Sequence, residues 1–254
     1  MGTAARRFDP WVITVGSISL AAWSILALAG SDLALPAYCS AAVWAVPLSA
    51  LVDLALASTS PARMAFDWSL MVVAMMWPLA IAPLRYVRSR SFARRRPRAT
   101  LLFLAGYTSA WMVAGVALQV LALVARWAVP TPLAALGVAV AIAALWQVSP
   151  AKQWCLNRCH RRPSLAAFGA AADRGAFDFG LTNGMACVGA CWALMLLSLV
   201  PGQAHLVAMA GVALFVFAER LENPAPLAWR WRGIGKALRL ITAQARIRFA
   251  ANFR

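Results

Sequence analysis

Apolar positions in this chain gather into helix-length runs separated by short basic stretches. A helix needs about 20 predominantly apolar residues to cross a bilayer. The pattern predicts six such spans, at residues 11–30, 68–84, 100–125, 130–148, 180–200 and 205–221. Strands of about ten alternating residues, the mark of a membrane barrel, are absent. Residues 33–57 are also apolar, but Pro36, Pro47 and Asp53 interrupt them and Asp32 precedes them. They form a re-entrant or interfacial piece in a six-span chain and a further crossing in a seven-span one. The last stretch has a different period. Leu227, Trp231, Ile234, Leu238, Ile241, Ala245 and Phe249 recur at steps of three and four. Arg230, Arg232, Lys236, Arg239, Arg246 and Arg248 fall mostly elsewhere on the wheel, which describes a basic amphipathic helix. The expected fold is therefore all-α. Residues 1–226 make a polytopic membrane bundle, and 227–254 make a cytoplasmic tail.

Composition agrees with that pattern. The 254 residues are 63% hydrophobic and 13% charged, with a mean hydropathy of +0.71. A soluble domain carries about 25% charged residues. No large soluble domain fits beside the spans.

Charge sets the orientation. The net charge of +16 comes from 24 Lys and Arg against 8 Asp and Glu. Such an excess suggests nucleic acid in a soluble protein, but in a bundle it follows from retention of Lys and Arg on the cytoplasmic side. With six spans, 22 basic residues share the side of both termini, and Arg63 and Arg126 face the other way. A seventh span changes the split to 20 and 4. The six-span chain thus has both termini cytoplasmic, with the tail drawn to anionic inner-leaflet lipid. A contact surface for a cytoplasmic protein partner reads the same way. Arg6 and Arg7 precede an apolar run with no small-residue cleavage site, so the first helix is expected to be retained.

Candidate chemistry concentrates in sulfur. Cys187, Cys191 and Met195 are four residues apart in one span, on one helix stripe. Cys155 and Cys159 repeat the spacing about thirty residues earlier, with His160 next. Ser149 reads as an N-cap with Pro150 at N1, opening a short helix that carries this second pair. Topology puts both pairs at the inner end of the bundle. Reduced, paired cysteines in such a place are ligands or redox groups more often than disulfides. Thiolates select Cu(I), Zn(II) or an iron cluster. Tetrahedral zinc takes four donors, whereas Cu(I) needs fewer and can recruit Met195. The competing structural reading is a small-residue packing seam of Gly180, Gly184, Cys187 and Cys191. Lone Cys39 reads as packing.

Met71, Met75 and Met76, near Trp68, form a possible second soft-metal group or a flexible core filler. Glu219 lies near the inner end of the last span, where a carboxylate is costly unless paired. Arg220 points about 100° away on the helix wheel. That leaves Lys152, Arg158 or a metal as the partner of Glu219. His205 and Asp67 read as interfacial residues. There is no Gly-x-x-x-x-Gly-Lys loop for ATP, and two histidines and two glutamates disfavour bis-His haem, His₃ zinc and di-iron sites.

Four blocks resemble a bacterial family of predicted metal-binding integral membrane proteins, a domain of unknown function. They are Trp68-x-x-Met71-x-x-Ala74-Met75-Met76-x-Pro78; Trp146-Gln147-x-Ser149-Pro150-x-Lys152-x-x-Cys155-Leu156-x-x-Cys159; Gly184-x-x-Cys187-x-Gly189-x-Cys191-Trp192-x-Leu194-Met195; and Glu219. The resemblance implies metal binding in a bacterial inner membrane. The chain departs from the family pattern at Ala190, where a further cysteine is usual, and at His160, where arginine is usual.

The first expectation is a protein that binds Cu(I) or Zn(II) for handling or delivery to a partner. Its ligands are Cys155, Cys159, Cys187 and Cys191, with His160 and Met195 accessory and Glu219 supporting the ligands or carrying a linked proton. A membrane thiol–disulfide oxidoreductase is the second reading, although redox pairs are commonly Cys-x-x-Cys. A non-catalytic subunit of a larger complex is the third.

Overall fold

The computed structural model describes residues 10–29, 60–129, 131–198 and 205–231, together with Gly235, Arg239 and Thr242. Among these residues the chain is all helical, with no strand. The helices are α1 (Pro10–Ala29), α2 (Pro61–Ser89), α3 (Arg96–Ala128), α4 (Pro132–Val148), α5 (Pro150–Cys159), α6 (Gly169–Ser198) and α7 (His205–Arg220). A single 3-10 turn, Ala93–Arg95, leads into α3. Residues 33–57, with Cys39 and Asp53, and most of 232–254 lie outside the described residues. Residues 227–231 are not helical, so the tail helix does not begin at Leu227. Pro224 and Pro226 hold this stretch open, and the Arg230 amide donates to the Val148 carbonyl at 3.2 Å. Gly235, Arg239 and Thr242 are helical.

One local rule starts three helices. Ser60, Thr131 and Ser149 each stand in extended backbone before a proline, and each hydroxyl accepts an amide three residues on. The proline has no N–H to leave unsatisfied and its φ already suits a first turn. This cap starts α2 at Pro61, seven residues before the apolar run suggests.

Helices α1, α2, α3 and α6 are long and apolar enough to cross a membrane; α4 and α5 qualify jointly as a fifth span bent by 67°. Helix α7 has 16 residues, about 24 Å, short of the roughly 30 Å of a hydrocarbon core. Four or five crossings therefore meet the length test among the described residues, where the apolar runs alone suggest six. Leu28, Val113, Leu133, Val207 and Leu214 face outward. An apolar exterior of this extent fits hydrocarbon surroundings better than water.

The centre of the bundle is the pair α3 and α6. Gly180 lies against the Phe103 carbonyl so closely that any Cβ would overlap it, and Gly106 meets the Phe177 carbonyl in the same way. Small residues let the two backbones approach, and dispersion then replaces the hydrophobic drive that lipid does not supply. Helix α1 docks on α2 by a different device. Pro78 has no N–H for the carbonyl of Ala74 one turn back. Ser19 Oγ donates to that carbonyl at 2.7 Å and Trp23 Nε1 at 3.1 Å.

Candidate metal centre

The break between α4 and α5 is built from the second sequence block. Ser149 ends α4 and caps α5, its hydroxyl accepting from the Lys152 amide at 3.2 Å. Trp146 Nε1 donates to the Gly189 carbonyl at 2.9 Å, fixing the end of α4 on α6. The bend turns Lys152 inward. Its Nζ lies 2.8 Å from Glu219 Oε2 and donates to Gln147 Oε1 at 2.5 Å. Gln147 Nε2 in turn donates to Glu219 Oε1, closing a ring of three side chains. Lys152 is 0% exposed and Glu219 3%. A buried carboxylate tolerates this depth when it is paired and hydrogen-bonded, so Lys152 is the partner of Glu219.

The thiol pair on α6 lies in the same core. Cys187 and Cys191 are wholly buried, and the two thiols lie within electrostatic range of each other. Cys191 Sγ donates to the Cys187 carbonyl at 3.0 Å. Tyr107 of α3, itself fully buried, donates its hydroxyl to Cys187 Sγ at 3.1 Å and shares it with the Met76 carbonyl at 3.1 Å. The guanidinium of Arg220, at the end of α7, abuts Cys187. Arg220 Nε and Nη2 are buried with no hydrogen-bond partner among the described residues. Met195, one turn beyond Cys191, is 0% exposed.

The other two cysteines part company. Cys159 lies within electrostatic range of Cys187 and Arg220, and its carbonyl accepts from Asn183 Nδ2 at 3.4 Å, one turn before Cys187. Cys155 packs with Leu156 and Ala190, its sulfur filling the space that a side chain on Gly189 would occupy. Gly189 lies about 200° and Ala190 about 60° the other way round the helix from Cys187, so Cys155 meets a flank of α6 turned away from the Cys187–Cys191 stripe. All four described cysteines are free. Beyond α5, burial pushes the Arg162 guanidinium down from its usual value, and the charge of Arg220 adds to the effect.

His160 ends α5 and lines a cavity of about 330 Å³ with Gln153, Asn157, Glu219, Glu222 and Arg230. Asn157 holds one wall, donating to the Ala225 carbonyl at 2.8 Å and accepting the Ala225 amide at 3.1 Å. Met71, Met75 and Met76 are buried along α2, where Trp68 Nε1 donates to the Trp111 carbonyl at 2.8 Å. Among the described residues no group of three or more His, Cys, Asp or Glu converges as a metal cage.

Tyr107 and Arg220 are site residues that sequence reasoning misses. Tyr107 shares an otherwise apolar stretch with Thr108 and Ser109, so nothing singles it out, and its partner is 80 positions away. For Arg220 the signal is partial: its 100° offset from Glu219 turns it off the ion pair, while the identity of what it meets is a tertiary fact. No curated protein and no solved structure matches this chain. A family model described as copper chaperone does match it, over residues 65–242, a span that takes in all four described thiols, Tyr107, Lys152, Glu219 and Arg220. By that match the chain belongs to the copper chaperone family PpoB2.

Proposed function

We propose that this protein carries Cu(I) within a membrane on Cys187 and Cys191 and delivers it to a protein partner. The observation that carries the reading is the facing, fully buried thiol pair at the centre of a copper chaperone family chain. Two thiolates with a thioether nearby suit Cu(I), which accepts low coordination numbers and soft donors. A closed zinc site requires four converging donors, and the described residues offer no such group. In this reading Met195 is the accessory soft ligand. Cys159 supplies a third thiolate through which the ion is passed by ligand exchange, with no change in oxidation state. Cys155 supports α5 on Gly189. His160 receives or releases the ion at the cavity mouth, and Glu219 neutralises Lys152. Met71, Met75 and Met76 offer thioethers on the approach from the opposite end.

The reading places the protein in a bacterial inner membrane, crossing six times with both termini cytoplasmic. The basic tail rests on anionic lipid and the partner docks at the cytoplasmic face. Purified full-length chain loaded anaerobically with Cu(I) is expected to hold about one ion per chain. The Cys187→Ser/Cys191→Ser double variant should hold none, while remaining folded by circular dichroism. Undiminished copper in that variant overturns the proposal. Reporter fusions at the two ends test the orientation.

A further inference from the structure

We infer that Arg220 makes the Cys187–Cys191 site selective for a monovalent ion. The inference rests on the copper reading above and extends it to how the ion is chosen. The guanidinium abuts Cys187 and lies within electrostatic range of Cys159 and Tyr107. The described ion pairs give it no carboxylate. Lys152, the wholly buried cation near the thiols, already has its charge matched by Glu219 at 2.8 Å. Arg162, near Arg220, lies beyond α5 and is only partly desolvated. Arg220 is therefore a half-buried positive charge, with Nε and Nη2 sealed from solvent and sulfur rather than a carboxylate beside it among the described residues.

The stoichiometry of binding supplies one. Cu(I) displaces one proton from each thiol, both protons leave to water, and the resulting dithiolate complex carries a charge of minus one. With Arg220 the site is then neutral. Both sulfurs are then held as thiolates, so the guanidinium beside Cys187 meets an acceptor that is anionic. Hydrogen bonds to charged partners are the stronger class. A divalent ion on the same two thiolates gives a neutral complex and leaves the partly desolvated Arg220 charge uncompensated, which is costly. One fixed side chain therefore favours the monovalent ion and disfavours the divalent one.

The test compares metals that are both soft but differ in charge. Full-length wild-type protein in detergent should bind Cu(I) and Ag(I) in chelator competition and take up Cd(II) and Zn(II) far more weakly. In Arg220→Gln the Cu(I) and Ag(I) affinities should fall roughly ten- to a hundredfold, as expected for loss of charged hydrogen bonds. Its Zn(II) and Cd(II) affinities should hold or rise. Arg220→Lys, which keeps the charge, should retain the preference. Equal losses for both classes of ion in Arg220→Gln, or no loss of Cu(I), overturn the inference. Wild-type Cd(II) binding as tight as Ag(I) overturns it without any variant, so a poorly folding Arg220→Gln does not rescue it. These failures leave the copper reading standing, whereas a wild-type chain that takes up no Cu(I) removes that reading and the inference together.

Discussion

Lys152 Nζ and Glu219 Oε2 stand 2.8 Å apart with both side chains sealed from solvent, joining the broken α4–α5 segment to the end of α7. Removing one member leaves the other charged and unpaired inside the bundle. Glu219→Gln or Lys152→Met should each destabilise the protein by about 3–5 kcal/mol. The double variant Lys152→Met/Glu219→Leu should recover much of that loss, because it abolishes both desolvation costs. Thermal unfolding in detergent measures all three. A double variant as unstable as the sum of the singles would show that the pair is not the coupled unit that the structure depicts.

The Ala74 carbonyl, left open by Pro78, gives a second cycle. Ser19→Ala should cost about 1 kcal/mol in the native background, the ordinary net value of one hydrogen bond. In a Pro78→Ala background, residue 78 regains an N–H and the helix can satisfy Ala74 by itself. There Ser19→Ala should cost measurably less. Equal costs in the two backgrounds would mean that Ser19 holds α1 by packing alone.

These two relationships mark how far the sequence could be read. Ser149 and Pro150 are visible as a helix start because a cap is decided within four residues, and the structure has that cap. Glu219 needs a partner on elementary electrostatics, and Lys152 is one of three candidates that residue chemistry allows. Gly180 is identifiable as a close-approach position, although only the fold places Phe103 opposite it. The docking of α1 through Ser19 and Trp23 is not legible, because it depends on which helix lies beside a carbonyl that a proline has freed. The number of crossings is blurred for a related reason. Residues 205–221 look like a span by apolar content, yet the described helix, His205–Arg220, falls short of the length test by itself. The separation of Cys155 from Cys187 is equally hidden, since spacing fixes the faces of one helix and says nothing of how two helices are turned toward each other.

The close contact of α3 and α6 predicts a sharp contrast between two glycines in helices. Gly180→Ala forces its methyl onto the Phe103 carbonyl, which cannot move without parting the two helices. It should destabilise by about 1–3 kcal/mol, the usual range for overpacking. At Gly137 in α4, a methyl group would meet no atom within 4 Å. Gly137→Ala should be neutral or stabilising by up to about 1 kcal/mol, from helix propensity alone. Unfolding midpoints of the two variants test this, and a similar loss at both sites would contradict the packing.

The unequal placement of the cysteines predicts unequal effects on copper. Cys187→Ser removes a thiolate at the buried pair and should abolish retention of Cu(I) through chelator washing. Cys159→Ser lies outside that pair but within electrostatic range of it. It should leave binding largely intact and slow the release of copper to an acceptor, since ligand exchange then lacks its third thiolate. Cys155→Ser changes a sulfur that packs against Gly189 and Ala190 on a flank of α6 away from the Cys187–Cys191 stripe, and should retain both affinity and exchange rate. Copper content after washing and stopped-flow transfer to a chromophoric chelator separate the three. Loss of copper in Cys155→Ser equal to that in Cys187→Ser would mean that all four thiols converge on the ion, which requires α5 to turn about its axis when copper binds. A normal transfer rate in Cys159→Ser would instead move the exit route away from the α5 end, toward Met195 and the thioethers of α2.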